Sequence, residues 1–329
     1  MAAVLSPERI LRELADLWAS SSQGEHPETG DGVLRACSMT LVVLAEASED
    51  ASTLGETLAA LMPEHPARVI LIRLTGPGER DLSDRVYQQC WKPFGQRRQI
   101  CCEQIEITAS DAALGDLPPV VLPLAVSDVP VILWCRATRL LGMPEFDEIA
   151  AMATKTVLDS GAMADARGAL DSVAELAHTC VIGDLAWTRL TRWREMLAQV
   201  FGNRQRLEQI GGISHVHVAF GPSYETGAWY LAAWVNDAVN SAGARPQVTA
   251  APEGNLPSIR LELEGEGLRV RLVRHGETLI ATVNELSQCT NLTPPSDYLL
   301  MHEELRIVSR DGVFERALAG ALRMAPPAV

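Results

Sequence analysis

Two adjacent cysteines, Cys101 and Cys102, sit in the run RRQICCEQIEI next to a glutamate, Glu103, that is followed by apolar residues at alternate positions. Neighbours on a strand aim at opposite faces, so these two are poorly placed to bond each other. Either could instead meet Cys90 or Cys135 on an adjacent strand and work as a thiol switch, which requires exposure and a lowered thiol pKa. The plainer expectation is that all seven cysteines (Cys37, Cys90, Cys101, Cys102, Cys135, Cys180 and Cys289) are reduced and mostly buried. Their number is odd, and without CxxC spacing neither a disulfide framework nor a zinc site is indicated. Glu103 shares the face of Cys101, Ile105 and Ile107, and a carboxylate there needs a cation, for which Arg136 and Arg97 are the candidates.

Other residue types that carry chemistry are thinly spread. His215 and His217 stand two apart and face one side of a strand, but no third metal ligand is evident nearby. The turn TGPGERD holds only Gly76 and Gly78, with Pro77 between them, which is neither a dinucleotide fingerprint nor a phosphate loop; GxSxG and HExxH are absent. The expectation is therefore a protein that is not an enzyme, with no catalytic residue, cofactor or metal. The alternative is a sugar-phosphate or nucleotide site at the carboxyl ends of the first-domain strands, where Arg97 and Arg98 could serve an anion.

The segment DLAWTRLTRWREMLAQVF reads as one helix from Leu185 to Phe201, capped by Asp184, with Ala186, Leu190, Trp193, Leu197 and Val200 forming its buried stripe. Away from that stripe lie Trp187, Arg189, Arg192 and Arg194. Trp beside Arg is the composition of a partner interface, and these four are its candidate residues; the competing reading packs Trp187 against the first domain and pairs the arginines with that domain's acidic surface.

These residues need elements to hold them. Residues 1–32 read as an amphipathic helix, with Ser6 as cap and Pro7 at its first position, followed by a linker. Residues 33–183 read as a Rossmann-like α/β domain. The apolar runs Ser38–Ala45 and Arg68–Leu74 flank a helix over Leu54–Met62, and further strands are expected at Val86–Trp91, Gln99–Thr108, Pro130–Arg136 and Lys155–Leu158. A short helix is expected over Pro119–Val126 and a longer one over Asp165–Val181. Residues 184–329 read as an α+β domain with a strand at His215–Phe220, a helix at Thr226–Asn240, an antiparallel meander and two closing helices, Asp297–Arg310 and Val313–Arg323. The fold class is α/β, a mostly parallel sheet covered by helices and then a smaller α+β domain.

Composition narrows the partners. The 42 acidic residues against 28 basic ones give a formal net charge of -14 across 329 residues, which disfavours nucleic acid and anionic membranes. No leader or bilayer-length apolar run is visible, so a cytoplasmic protein is expected.

Taken together, RRQICCEQIEI, PLAVSDVPVILWCR, DLAWTRLTRWREMLAQVF and EELRIVSRDGVFERALAGAL resemble, in order, the glucose-6-phosphate dehydrogenase assembly protein family, OpcA. The resemblance implies a non-catalytic partner of glucose-6-phosphate dehydrogenase that supports its active oligomer as an allosteric activator and feeds NADPH formation in the oxidative pentose phosphate route. In photosynthetic relatives it also implies thioredoxin as a possible second partner, although none of the seven cysteines aligns with a known regulatory thiol.

Overall fold

The computed structural model describes residues 5–22, 33–91 and 99–327. Along the chain run α1 (Pro7–Ser22), β1 (Val33–Arg35), β2 (Met39–Glu46), α2 (Ala51–Leu61), β3 (Ala67–Leu74), β4 (Leu82–Trp91), β5 (Gln99–Ala109), α3 (Leu117–Leu124), β6 (Val131–Cys135), α4 (Pro144–Ala150) and β7 (Lys155–Leu158). They are followed by α5 (Ala166–Leu176), β8 (Val181–Asp184), α6 (Leu185–Thr188), α7 (Thr191–Val200), α8 (Arg204–Gln209), β9 (Ile213–Phe220) and α9 (Glu225–Ser241). Strands β10 (Gln247–Pro252), β11 (Ile259–Gly265), β12 (Leu268–His275), β13 (Thr278–Val283) and β14 (Leu286–Asn291) precede α10 (Asp297–Leu305) and α11 (Gly312–Met324).

The chain divides into two interleaved compact units. One comprises Met1–Leu158, Thr179–Ile182 and Met301–Ser309, the other Asp159–His178, Gly183–Leu300 and Arg310–Val329.

The first sheet has the order β1-β5-β3-β2-β6-β7-β8, with β4 paired antiparallel to β5. The pairs β1–β5, β3–β5, β2–β3, β2–β6 and β6–β7 are parallel, giving the α/β fold with a mostly parallel sheet. Strand β3 is buried along its whole length and β2 up to Ala45, which is why their centres, Leu41–Ala45 and Val69–Ile72, read as apolar runs and not as alternation. Helix α1 buries Ile10 and Leu14, and Ser6 accepts from the Arg9 amide at its start.

The second sheet, order β10-β9-β11-β12-β13-β14, is antiparallel except for β9–β10. Leu261, Leu263, Val270, Leu272, Leu279 and Ala281 form its buried face. Strands β10 and β14 depart from the sequence reading, which had neither. They are the edge strands and bury little, so they lack the period-two pattern.

Two helices also differ from expectation. The helix expected to reach Val181 ends at Leu176, and Val181–Asp184 is β8. The helix expected from Leu185 to Phe201 is broken into α6 and α7. Thr188 Oγ1 donates back to the Asp184 carbonyl, and the Leu190 amide bonds the carbonyl of Trp187, three residues back, tightening the chain between the two helices.

Candidate functional site

The carboxyl edge of a parallel sheet, where the strand order reverses between β2 and β6, is the usual ligand crevice of this architecture. Here its side chains are engaged with one another. Strand β2 ends at Glu46, and the loop after it contributes Glu49 and Asp50. Arg139 forks onto Glu46 at 2.6 and 3.3 Å and onto Asp111 at 2.9 and 2.8 Å, while Arg136 Nε donates to Glu49 Oε2 at 2.6 Å. The bonds from Asp111 and then Glu46 raise the Arg139 pKa further above its ordinary range. The start of α2, which could hold a phosphate, accepts a carboxylate from its own chain: Asp50 takes hydrogen bonds from the Ser52 and Thr53 amides.

The expected partner of Glu103 is corrected. Glu103 is buried and meets Arg68 at 2.5 Å, Arg35 at 2.7 Å and the Trp18 Nε1–H at 2.6 Å. Arg136 is held instead by Glu49. Arg97 and Arg98 lie outside the described residues.

The expectation of reduced thiols is corrected at two positions. Cys90 and Cys101 are directly opposed in the β4–β5 ladder and are joined by a disulfide, with Cys90 exposed and Cys101 buried. Cys102, aimed the other way, is a free buried thiol, its pKa pushed up to about 11 mainly by burial; burial pushes Cys135 up to about 12. Both are protonated at neutral pH and neither has thiolate character.

The four candidate interface residues have separate fates. Trp187 is 3% exposed, a correction to its placement on an open face. Its ring packs against Tyr230 and Phe314, with centroids 6.1 and 6.0 Å away, and its Nε1–H donates to Asp311. Arg194 covers the same ring and donates to Thr191 Oγ1 at 2.8 Å. Arg189 pairs with Asp159 through two 2.6 Å bonds, and Arg192 remains exposed, bonded to Glu195 within its own helix. Beneath them Asp184 is fully buried. It accepts from the Ser160 and Ala186 amides and from the Tyr230 hydroxyl at 2.7 Å. Burial, with the Asp159 charge adding to it, raises its pKa to about 6.

His215 and His217 each meet a hydroxyl, of Ser214 and Thr249 respectively. Among the described residues no three His, Cys, Asp or Glu side chains gather as a metal site. A contact missed in the sequence joins His65 Nε2 to His302 Nδ1 at 2.9 Å, across a separation of 237 residues that no local pattern signals.

Residues 59–175 match the family described as glucose-6-phosphate dehydrogenase subunit N-terminal domain, and residues 180–318 match the corresponding C-terminal domain. A relative from Synechocystis sp. that carries the name OxPP cycle protein OpcA is 24% identical over 190 residues, covering 56% of this chain and 39% of its own. The like-named relative from Nostoc punctiforme is 26% identical over 176 residues, covering 52% and 37%. The matched stretches thus span under half the length of these relatives. Among solved structures, biliverdin reductase from Synechocystis sp. aligns over 87% of this chain and 96% of its own at 11% identity and a TM-score of 0.46. At that score its catalytic name stays with it. No helix among the described residues is long and apolar enough to cross a membrane.

Proposed function

Because the chain belongs to the glucose-6-phosphate dehydrogenase assembly protein family, OpcA, we propose that it is a non-catalytic assembly factor and allosteric activator of that dehydrogenase. The observation that carries the reading is the match of both halves of the chain, in order, to the two domains of a dehydrogenase subunit family. The switch-point crevice supports a binding role over a catalytic one, since Arg139, Arg136 and Asp50 fill with internal bonds the places where a cofactor would sit.

The mechanism is a shift of population. A partner that binds the active oligomer better than its alternatives favours it by no more than the difference in affinity. The consequence is a higher apparent affinity of the dehydrogenase for its substrate and a greater supply of NADPH in the cytoplasm. Of the four candidate interface residues, the exposed Arg192 is the one placed to meet a partner without rearrangement. Cys90, the exposed residue of the disulfide, is the natural entry point for a thioredoxin-class reductant.

The test is co-expression with the dehydrogenase of the same organism, followed by size exclusion and a substrate titration. A co-eluting complex with a lowered apparent KM supports the reading. Separate elution together with an unchanged KM removes it.

A further inference from the structure

Among the described residues, three cationic side chains are buried: Arg68, Arg73 and Lys155. Two have a carboxylate against them, Arg68 with Glu103 and Lys155 with Glu304, each at 2.5 Å. Arg73, only 8% exposed, makes no ion pair with any described residue. Its Nη2 donates to the carbonyls of Ala47 and Glu49 at 3.0 and 2.8 Å, and its Nη1 is buried without any hydrogen-bond partner. Asp50, a carboxylate that senses the charge, is engaged in capping α2. A buried charge without a counter-charge is costly, and a guanidinium edge with unused donors suits a planar or tetrahedral anion.

Space for one lies beside it. Arg73 lines a cavity of about 370 Å3 at the carboxyl end of β3, together with Ser83, Arg85, Glu106 and Thr108. The strand register places these on one face: Arg73 is opposite Thr108 and Thr108 opposite Ser83, and in the next row Glu106 is opposite Arg85. Arg85 makes no ion pair with a described residue either, whereas Asp84, the other carboxylate of the lining, is engaged by Arg9. Two cations, two hydroxyls and two carboxylates therefore surround the same space, and of the carboxylates Asp84 is engaged by Arg9. The cations suit an acidic head, and Ser83, Thr108 and Glu106 suit hydroxyl groups.

We propose that the Arg73 cavity binds a small hydroxylated anion, a sugar phosphate or a sugar acid, with its acidic group on Arg73 and Arg85 and its hydroxyls on Ser83, Thr108 and Glu106. This goes beyond the partner reading and does not rest on it.

The test is isothermal titration of the purified full chain at low ionic strength with inorganic phosphate, glucose 6-phosphate, gluconate and glucose. The expected result is saturable binding of glucose 6-phosphate, gluconate or both, tighter than phosphate and with glucose inert; the two acids separate a phosphate head from a carboxylate head. Arg85→Gln and Thr108→Val should keep the melting temperature and weaken binding about tenfold or more, and Arg73→Gln should abolish it. If Arg73→Gln does not fold, the other two variants decide. Absence of saturable binding by either acid, binding by glucose as tight as by the acids, or affinity unchanged in Arg85→Gln and Thr108→Val would overturn the proposal.

Discussion

Arg194 lies over Trp187, its guanidinium carbon 3.8 Å from the indole centroid, so the arginine closes the outer side of a tryptophan whose inner side faces Tyr230 and Phe314. A Trp/Arg segment that resembles an interface in sequence is therefore partly a core with a cationic lid. The guanidinium lies on the aromatic face as a cation–π contact and donates to Thr191 Oγ1.

Truncation should separate the two roles. Trp187→Ala removes a buried ring and should cost about 3–5 kcal/mol in denaturant unfolding. Arg192→Ala, on an exposed side chain, should change stability by no more than about 0.5 kcal/mol and act only on partner binding. Equal stability losses in the two variants would contradict this division.

Asp184 gives a pH signature. Its pKa is raised from the ordinary 3.8 to about 6, chiefly by burial, so the folded state holds the proton more tightly than the unfolded one. Its contribution is then complete below about 3.8 and declines as pH rises through about 6. Asp184→Asn, which cannot ionise, should lose this slope: the melting temperature of the parent relative to the variant should fall between about pH 4 and pH 7, and a constant difference would refute the assignment.

His65 runs in the opposite sense. Burial first, and then the neighbouring His302, lower its pKa below 6.5. The unfolded chain therefore takes up this proton first, and the stability contributed by the neutral imidazole is present above about 6.5 and is lost as pH falls toward the folded pKa. A histidine NMR titration should show His65 protonating below the free value; protonation at or above it would contradict the contact geometry.

Much of the architecture was legible for physical reasons. Strands β2 and β3 are buried, so their centres, Leu41–Ala45 and Val69–Ile72, are apolar without alternation, and Ser6 with Pro7 marks the start of α1 by cap chemistry that acts over a few residues. Pairing across the fold was not legible. Glu103 clearly needed a cation, but sequence spacing could not choose Arg68 and Arg35 over Arg136, because β-sheet register decides it. The Cys90–Cys101 bond likewise depends on the β4–β5 register, and that Arg73 makes no ion pair with a described residue depends on side-chain placement that spacing along the chain does not show.

Lys155 tests the energetics of such pairs. Its ammonium is buried against Glu304 Oε2 and the carbonyls of Glu304 and Ile307. Lys155→Met leaves Glu304 without its cation and should destabilise by about 3–5 kcal/mol, while adding Glu304→Leu should recover most of the loss. If the double variant is no more stable than Lys155→Met, the two residues are not coupled.

Titrating the dehydrogenase of the same organism with this protein, and measuring apparent KM for glucose 6-phosphate at each ratio, decides whether the protein activates it. The expected result is a saturable fall in KM that ends at a fixed stoichiometry and parallels the appearance of a co-eluting complex. A KM that stays flat across the titration, with the two proteins eluting apart, would contradict it.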